Sequence, residues 1–540
     1  MAEPMLQVKD LSVEFHTVAG TVRAVRNVSF DLDRGETLAI LGESGSGKSV
    51  SASAIMDLID MPPGRITSGQ IIFEGRDLLK LSASARRRVN GHKIAMIFQD
   101  PLSHLNPVYT VGWQIIETMT AHGMARSKAR AEALRLLGRV GIPDAEASMG
   151  KYPHQFSGGQ RQRLMIAMAL ALKPDLLIAD EPTTALDVTV QAEVLALLQE
   201  LQRETGMGVL IITHDLGVVA EIADRVVVMN AGEVVETGDT RQVYRSPAHP
   251  YTRKLIGAAP GKGAMHDPLP RAEPVLSVRN ARKVYGDFTA VHDVSFDLMA
   301  GETLAIVGES GSGKSTVAKM LLRLEEPTGG RALWKGQDLF SMPDAQLFAL
   351  RRDLQMVFQD PTQSLNPRMT VWQLIAEGWV IHPQILPRSK WKARVAELLG
   401  QVGLKPEMAG RYPHQFSGGQ RQRIAIARAL ALEPELIICD EAVSALDVSV
   451  QAQVIELLDG LRKRLGIAFV FIAHDLPVVR DFADHVMVMQ NGRVVEMGTV
   501  RQIFDNPRQP YTQALLAAGL DPDPDVQAER RAARLARAAG

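Results

Sequence analysis

The chain is one pattern written twice, and that repeat limits its fold more than any other feature. GETLAILGESGSGKS, Gly35 to Ser49, recurs as GETLAIVGESGSGKS, Gly301 to Ser315, with one change, Leu41 against Val307. YPHQFSGGQRQR, Tyr152 to Arg163, recurs unchanged as Tyr412 to Arg423. Lys48 and Lys314 stand 266 residues apart, whereas Gln99 and Gln359, Ser157 and Ser417, Asp180 and Asp440, and His214 and His474 each stand 260 apart. The second copy is therefore shorter by a net six residues, lost between its Gly-rich loop and Gln359. A period this long marks duplicated domains rather than a solenoid of short units.

Two domains also suit a chain of 540 residues, too long for one ordinary core. The expected division is a first domain at 1–258, a linker at 259–274, a second domain at 275–520 and a C-terminal tail at 521–540. The linker is rich in Pro, Gly and Ala and lacks periodicity. The tail opens with turn-formers and becomes Arg-rich. It reads as a solvated, partly frayed segment, with a partner-binding helix as the alternative. Inside each copy, buried apolar runs such as LAIL (Leu38 to Leu41), LLIAD (Leu176 to Asp180) and VLIITHD (Val209 to Asp215) alternate with helical patterns such as Gln191 to Thr205. That alternation predicts an α/β fold with a largely parallel sheet. Ligands on such sheets sit beyond the carboxyl ends of the strands, where the polar motifs fall here.

Composition removes several classes of function. Lys plus Arg is 60 and Asp plus Glu is 61, so no broad basic surface advertises nucleic acid. The one cysteine, Cys439, excludes an intrachain disulfide framework, an all-cysteine zinc site and a cysteine-held iron–sulfur cluster. It lies in an apolar run and reads as a small core residue. No secretory signal opens the sequence, and no run of 18 or more uncharged apolar residues is present, so no membrane span is expected. A role at a membrane would have to pass through partners.

Three motifs carry chemistry by residue type. GESGSGKS, with Gly42, Ser44, Gly45, Ser46, Gly47, Lys48 and Ser49, is a phosphate-binding loop. Its twin holds Gly308, Ser310, Gly311, Ser312, Gly313, Lys314 and Ser315. Glycines let the backbone turn its N–H groups onto a phosphate, and the following helix adds its positive end. Lys48 and Lys314 should reach the β- and γ-phosphates of ATP, and Ser49 and Ser315 should ligate Mg²⁺. LLIADE and LIICDE end apolar strands in paired carboxylates. Asp180 and Asp440 are placed to hold Mg²⁺, and Glu181 and Glu441 to orient and deprotonate the attacking water. In FSGGQ, Ser157, Gly158, Gly159 and Gln160, matched by Ser417, Gly418, Gly419 and Gln420, precede a helical pattern. A cap hydroxyl, backbone N–H groups and the helix dipole make a second anion site there, with a plain helix cap as the alternative.

FSGGQ resembles the signature motif of the ATP-binding-cassette superfamily, and the resemblance covers nearly the whole chain twice. It implies two tandem P-loop cassettes, each with a parallel-sheet core and a helical subdomain. Gln99 and Gln359 match the glutamine that contacts Mg²⁺ and the transmembrane partner, and Asp187 and Asp447 match the D-loop. His214 and His474 match the switch histidine that senses the γ-phosphate. Phe15 and Tyr285 match the aromatic that stacks on adenine. The resemblance also implies two ATPs held head to tail. One site joins Lys48, Asp180 and Glu181 with Ser417 to Gln420; the other joins Lys314, Asp440 and Glu441 with Ser157 to Gln160. A linker of about 17 residues reaches about 55 Å when extended, which allows such a pair within one chain.

FQDPLSHLNP and FQDPTQSLNP, followed by HPYT (His249 to Thr252) and QPYT (Gln509 to Thr512), resemble ATPases of the oligopeptide, dipeptide and nickel importer group. DEPTTALDV and DEAVSALDV resemble the two ATPase subunits such importers use, here in one polypeptide, similar to the fused ATPases of glutathione or microcin C type peptide uptake. Many of that group carry a C-terminal cysteine cluster, which this chain lacks. The resemblance implies an ATPase on the cytoplasmic face of the inner membrane, two transmembrane permease subunits and an external substrate-binding protein. The competing reading is a non-transport tandem cassette protein of the translation-factor type. Such proteins carry a long charged segment between domains, and the segment here is short and weakly charged.

Overall fold

The computed structural model describes residues 3–17, 20–183, 186–266, 273–444 and 446–539. Positions 1–2, 18–19, 184–185, 267–272, 445 and 540 lie outside the described residues. Two compact units emerge: Met1–Ala259 together with Leu520–Gly540, and Pro260–Gly519.

Unit 1 holds two sheets among the described residues. Strands β1 (Leu6–Thr17), β2 (Gly20–Leu32), β4 (Gly64–Phe73) and β5 (Arg76–Asp77) form an antiparallel sheet in the order β2-β1-β4-β5. The second sheet runs β10-β9-β3-β8-β7-β6, from β3 (Thr37–Leu41), β6 (Ile94–Ile97), β7 (Leu176–Asp180), β8 (Gly208–Thr213), β9 (Arg225–Asn230) and β10 (Glu233–Asp239). All its pairings are parallel except β9 with β10. β3, β7 and β8 are buried at every position, as strands covered on both faces must be. Leu6, Val8 and Val28 of the antiparallel sheet pack with Leu38, Ile40, Ile178 and Leu210 of the other in one core. Each such side chain contributes about 1.5–3 kcal/mol on burial.

Unit 2 repeats the plan. Its antiparallel sheet is β12-β11-β14-β15, with β11 (Leu276–Tyr285), β12 (Phe288–Leu298), β14 (Gly329–Trp334) and β15 (Gln337–Asp338). Its mostly parallel sheet is β16-β17-β18-β13-β19-β20, from β13 (Thr303–Val307), β16 (Leu354–Val357), β17 (Leu436–Asp440), β18 (Ala468–Ile472), β19 (His485–Gln490) and β20 (Arg493–Thr499). Cys439 is fully buried on β17, and burial pushes its thiol well above the usual range, so it is a core residue. A helical subdomain accompanies each core. In unit 1, Val111–Thr120, Arg126–Arg139 and Gly158–Ala169 pack together. In unit 2, Val371–Ile381, Trp391–Gln401 and Gly418–Leu430 do so, around the buried Trp379, whose indole N–H donates to the Ala431 carbonyl at 2.7 Å.

The reading of the tail as solvated and frayed is corrected. Pro524–Ala539 is a helix of unit 1, and Gln527 within it is fully buried. Two of the arginines that suggested a solvated face instead bond to the buried Glu221, Arg534 to its carboxylate and Arg531 to its backbone carbonyl. The start of the expected linker, 260–266, likewise belongs to unit 2, where Gly261 and Gly263 bond to Asp481.

Candidate functional site

In each unit the central strand delivers the Gly-rich loop. β3 ends at Leu41, the loop follows, and a helix starts at Lys48; β13 does the same before Lys314. Gly47 and Gly313 cap these helices at φ 99°, a left-handed conformation natural to glycine. A Cβ on Gly42 would lie 2.3 Å from the Met229 carbonyl oxygen, and one on Gly308 2.1 Å from that of Met489. The loop is thus packed against backbone, with no room for a side chain at its first position. Lys48 is buried and donates to the carbonyls of Gly42 at 2.7 Å and Glu43 at 2.9 Å; Lys314 does the same to Gly308 and Glu309 at 2.8 and 2.9 Å. Both ammonium groups are folded over their own loops, where a polyphosphate would sit.

Strand β7, separated from β3 by β8, carries Asp180 to the same place, as β17 carries Asp440. Ser49 donates Oγ to Asp180 Oδ1 at 3.1 Å, and Ser315 to Asp440 Oδ1 at 2.9 Å. Burial pushes the Asp180 carboxyl up to about 6, opposed by the Ser49 hydrogen bond and helped by the Glu181 charge. Asp440 is raised by the same burial. Hydroxyl and carboxylate oxygens side by side suit a hard divalent cation such as Mg²⁺, which keeps waters and phosphate oxygens for its other positions. A carboxylate whose ionisation burial opposes gains most from such a cation. Among the described residues no cluster of three or more His, Cys, Asp or Glu forms an all-protein metal cage, in keeping with that donor set.

Glu181 and Glu441 sit just past the strand ends at φ 46° and 48°, left-handed values that cost a non-glycine residue about 1–3 kcal/mol. Their N–H groups donate to the Ile212 and Ile472 carbonyls, which hold the turn. Gln99 Nε2 donates to Glu181 Oε2 at 2.7 Å, and His214 Nδ1 lies 2.8 Å from Oε1. In unit 2, Gln359 donates to Glu441 Oε2 at 2.6 Å, while His474 Nδ1 stands 3.7 Å from that oxygen. The His474 contact holds the Glu441 carboxyl below its usual range, and although burial opposes it, the Glu441 charge lifts the His474 pKa. Each unit therefore has a lysine folded over its loop, a bonded serine–aspartate pair, and a glutamate contacted by glutamine and histidine.

The other sequence-predicted residues occupy separate places. Ser157 and Ser417 accept from the N–H of Gln160 and Gln420, and both glutamines reach back in a capping box. Ser157, Gly158, Ser417 and Gly418 are exposed, leaving helix-end N–H groups open to a ligand. Asp187 and Asp447 begin the helices Val188–Thr205 and Val448–Leu465. Tyr285 is exposed, with the Lys283 ammonium 4.6 Å from its ring centroid, whereas Phe15 is half-buried against Gly64.

Two residues with a bearing on the site were not singled out from sequence. The Tyr251 hydroxyl accepts the N–H of Glu43 in the phosphate loop at 3.2 Å, and Tyr511 accepts that of Glu309 at 3.3 Å. Both lie in the HPYT and QPYT motifs, whose repetition at the 260-residue offset was the available signal. Glu236 and Glu496 hold these segments by accepting the backbone N–H groups of Ala248 and His249, and of Arg508 and Gln509.

A family model described as "ABC transporter" matches residues 25–184 and 291–444. One described as "Oligopeptide/dipeptide transporter, C-terminal region" matches 235–282 and 495–539. Proteins named glutathione import ATP-binding protein GsiA, from Shigella boydii serotype 4 (strain Sb227) and Escherichia coli (strain K12), are 50% identical over 569 residues, covering 98% of this chain and 91% of theirs. The protein of that name from Salmonella paratyphi A (strain ATCC 9150 / SARB42) is 49% identical over the same shares.

Proposed function

The chain belongs to the ABC transporter family and is an ATPase of two ATP-binding cassettes, and on that premise we propose that it energises the import of peptides or related small solutes. One observation carries the reading: the likeness to glutathione import ATP-binding proteins runs along 98% of the chain. It disfavours the translation-factor alternative. Both units also have the loop lysine, the bonded serine–aspartate pair and the glutamate contacted by glutamine and histidine, which supports turnover at both.

Lys48 and Lys314 leave their loop carbonyls for the β- and γ-phosphates. Ser49 with Asp180, and Ser315 with Asp440, would hold Mg²⁺, faced by Gln99 and Gln359. Bound there, Mg²⁺ would neutralise phosphate charge. Glu181 and Glu441 accept a proton from the attacking water, and Gln99 and His214 aim the first of these carboxylates as Gln359 and His474 aim the second. Phe15 and Tyr285 stack on the adenine, the latter presenting the more open ring. The head-to-tail pairing, in which Ser417 to Gln420 act on the ATP held by Lys48 and Ser157 to Gln160 on that held by Lys314, with Asp187 and Asp447 beside them, belongs to the same proposal.

No helix among the described residues is long and apolar enough to cross a membrane, so passage of solute needs separate permease subunits. We place the ATPase on the cytoplasmic membrane face with two such subunits and an external substrate-binding protein. Each unit offers a surface for them beside its glutamine loop. In unit 1 an apolar cavity of about 250 Å³ is lined by Met96, Phe98, Met165 and Met168; in unit 2 one of about 420 Å³ is lined by Met356, Phe358, Ile381 and Leu432. The test is capture of the native complex with the tagged chain, followed by vesicle uptake of glutathione, a tripeptide and Ni²⁺. Two multi-span proteins and ATP-dependent uptake of a peptide support the proposal. Capture of ribosomal proteins alone would refute it, and uptake of Ni²⁺ alone would move the substrate class.

A further inference from the structure

In each unit the helix that starts two residues after the switch histidine is gripped by a segment distant in sequence. In unit 1, Asp215 follows His214 and caps the helix Leu216–Ile222, its Oδ1 accepting from Gly217 N at 2.8 Å and Val218 N at 3.3 Å. Gln191 Nε2 holds the other carboxylate oxygen at 3.3 Å. The last turn of this helix carries Glu221, only 2% exposed. Gln199 Nε2 holds its carbonyl at 2.8 Å, and the partners of its carboxylate come from the tail. Arg534 donates Nη2 to Glu221 Oε1 at 2.7 Å, the buried Gln527 amide donates to Oε2, and Arg531 donates Nη1 to the Glu221 carbonyl at 2.7 Å. Leu520 packs so tightly at the other end of the helix that a Cβ on Gly217 would lie 2.7 Å from Leu520 Cβ. A buried carboxylate is costly unless paired and hydrogen-bonded, so the tail completes this helix rather than merely resting on it.

Unit 2 shows the same device with other chemistry. Asp481, 260 residues after Glu221, lies on the helix Leu476–Phe482 that follows His474. It accepts from Gly261 N at 2.6 Å and Gly263 N at 3.1 Å, while Arg480 donates to the Gly263 carbonyl at 3.1 Å. Two unrelated segments thus grip equivalent points on equivalent helices.

We propose that residues 520–534 and 260–266 are positioning straps for the two switch histidines. A helix of seven residues is about 10 Å long and close-packed, so holding its last turn also fixes the capped turn from which the histidine projects. The strap on unit 1 sets where His214 stands against Glu181, and the strap on unit 2 where His474 stands against Glu441. The inference rests on the proposed switch role of the two histidines.

The test is steady-state ATP hydrolysis by the full chain. Glu221→Gln keeps the shape but presents a donor to the Gln527 amide, and Gln527→Leu removes that amide. Each should lower kcat about 3- to 10-fold, part of the lost hydrogen bond's worth reaching the histidine, and leave the KM for ATP within about twofold. The exchanged pair, Glu221→Gln with Gln527→Glu, again sets donor against acceptor and should recover at least about half of kcat. Arg534→Lys is a milder variant expected to show a smaller fall in kcat, should the others fold poorly. Unchanged kcat in Glu221→Gln, Gln527→Leu and Arg534→Lys overturns the strap, as does a loss that the exchanged pair does not recover. His214→Ala serves as the reference. Wild-type kcat there would refute the switch assignment itself, which is a different failure from wild-type kcat in the strap variants alone.

Discussion

At the scale of single residues, the site is held ready by contacts that a ligand must replace. Lys48 spends its charge on two loop carbonyls, and Asp180 is half neutral near pH 6 because burial disfavours its ionised form. The sign of the pH effect follows. The folded pKa lies above the unfolded value of 3.8, so this group stabilises the ligand-free protein below about pH 4 and loses that contribution as pH rises through about 6. Asp180→Asn should therefore raise the stability of Mg²⁺-free, nucleotide-free protein by about 3 kcal/mol at pH 7.5 and by about half as much at pH 5, at about 1.4 kcal/mol per pKa unit. Thermal unfolding at the two pH values measures this, and an equal effect at both would remove burial as the cause. The tyrosines make a second case. Tyr251→Phe or Tyr511→Phe leaves a phosphate-loop N–H without its hydroxyl acceptor, at about 1 kcal/mol. The KM for ATP should rise about fivefold with kcat within about twofold, and an unchanged KM in both variants would make these hydroxyls bystanders.

At the scale of elements, much of the fold was legible because it is local. LLIAD predicts β7 residue for residue, LAIL gives four of the five residues of β3, and the helical pattern from Gln191 lies within Val188–Thr205. Fully apolar runs ending in polar motifs have few other uses than buried parallel strands. The chemistry of each motif was legible for the same reason, since phosphate loop, carboxylate pair and capping box are each contiguous in sequence. The tail and the linker were not. Glu221 and Arg534 meet across more than three hundred positions, and a pair that distant leaves no periodic trace in either segment. Tyr251 escaped likewise, because its contact with Glu43 depends on how the helix Pro250–Gly257 folds back. Helix packing offers its own prediction. A Cβ on Gly419 would lie 2.1 Å from Val450 Cγ1, where the helix Gly418–Leu430 meets Val448–Leu465. Gly419→Ala should destabilise unit 2 by about 1–3 kcal/mol through overpacking, and adding Val450→Ala should recover part of it. Calorimetry checks both, and a double variant less stable than Gly419→Ala alone would rule out that clash as the cause.

At the scale of the whole molecule, the duplication yields two units with the same set of site residues and no helix able to span a membrane among the described residues. The proposed head-to-tail pairing makes Ser417 act on the nucleotide of Lys48. Ser417→Arg with Lys48→Ala should then be little worse than either alone, whereas Ser417→Arg with Lys314→Ala disables both sites. Equal loss in the two double variants, by steady-state hydrolysis, would contradict that pairing. Glu181 and Glu441 are the proposed bases of two working ATP sites, while the lysines, serines and aspartates bind. The most direct test is the variant Glu181→Gln, Glu441→Gln, passed through a desalting column with labelled Mg·ATP and then followed for hydrolysis. Two nucleotides retained per chain, with turnover lower by about 10²–10⁴-fold, is the predicted result. Normal turnover, or loss of ATP binding, would contradict it.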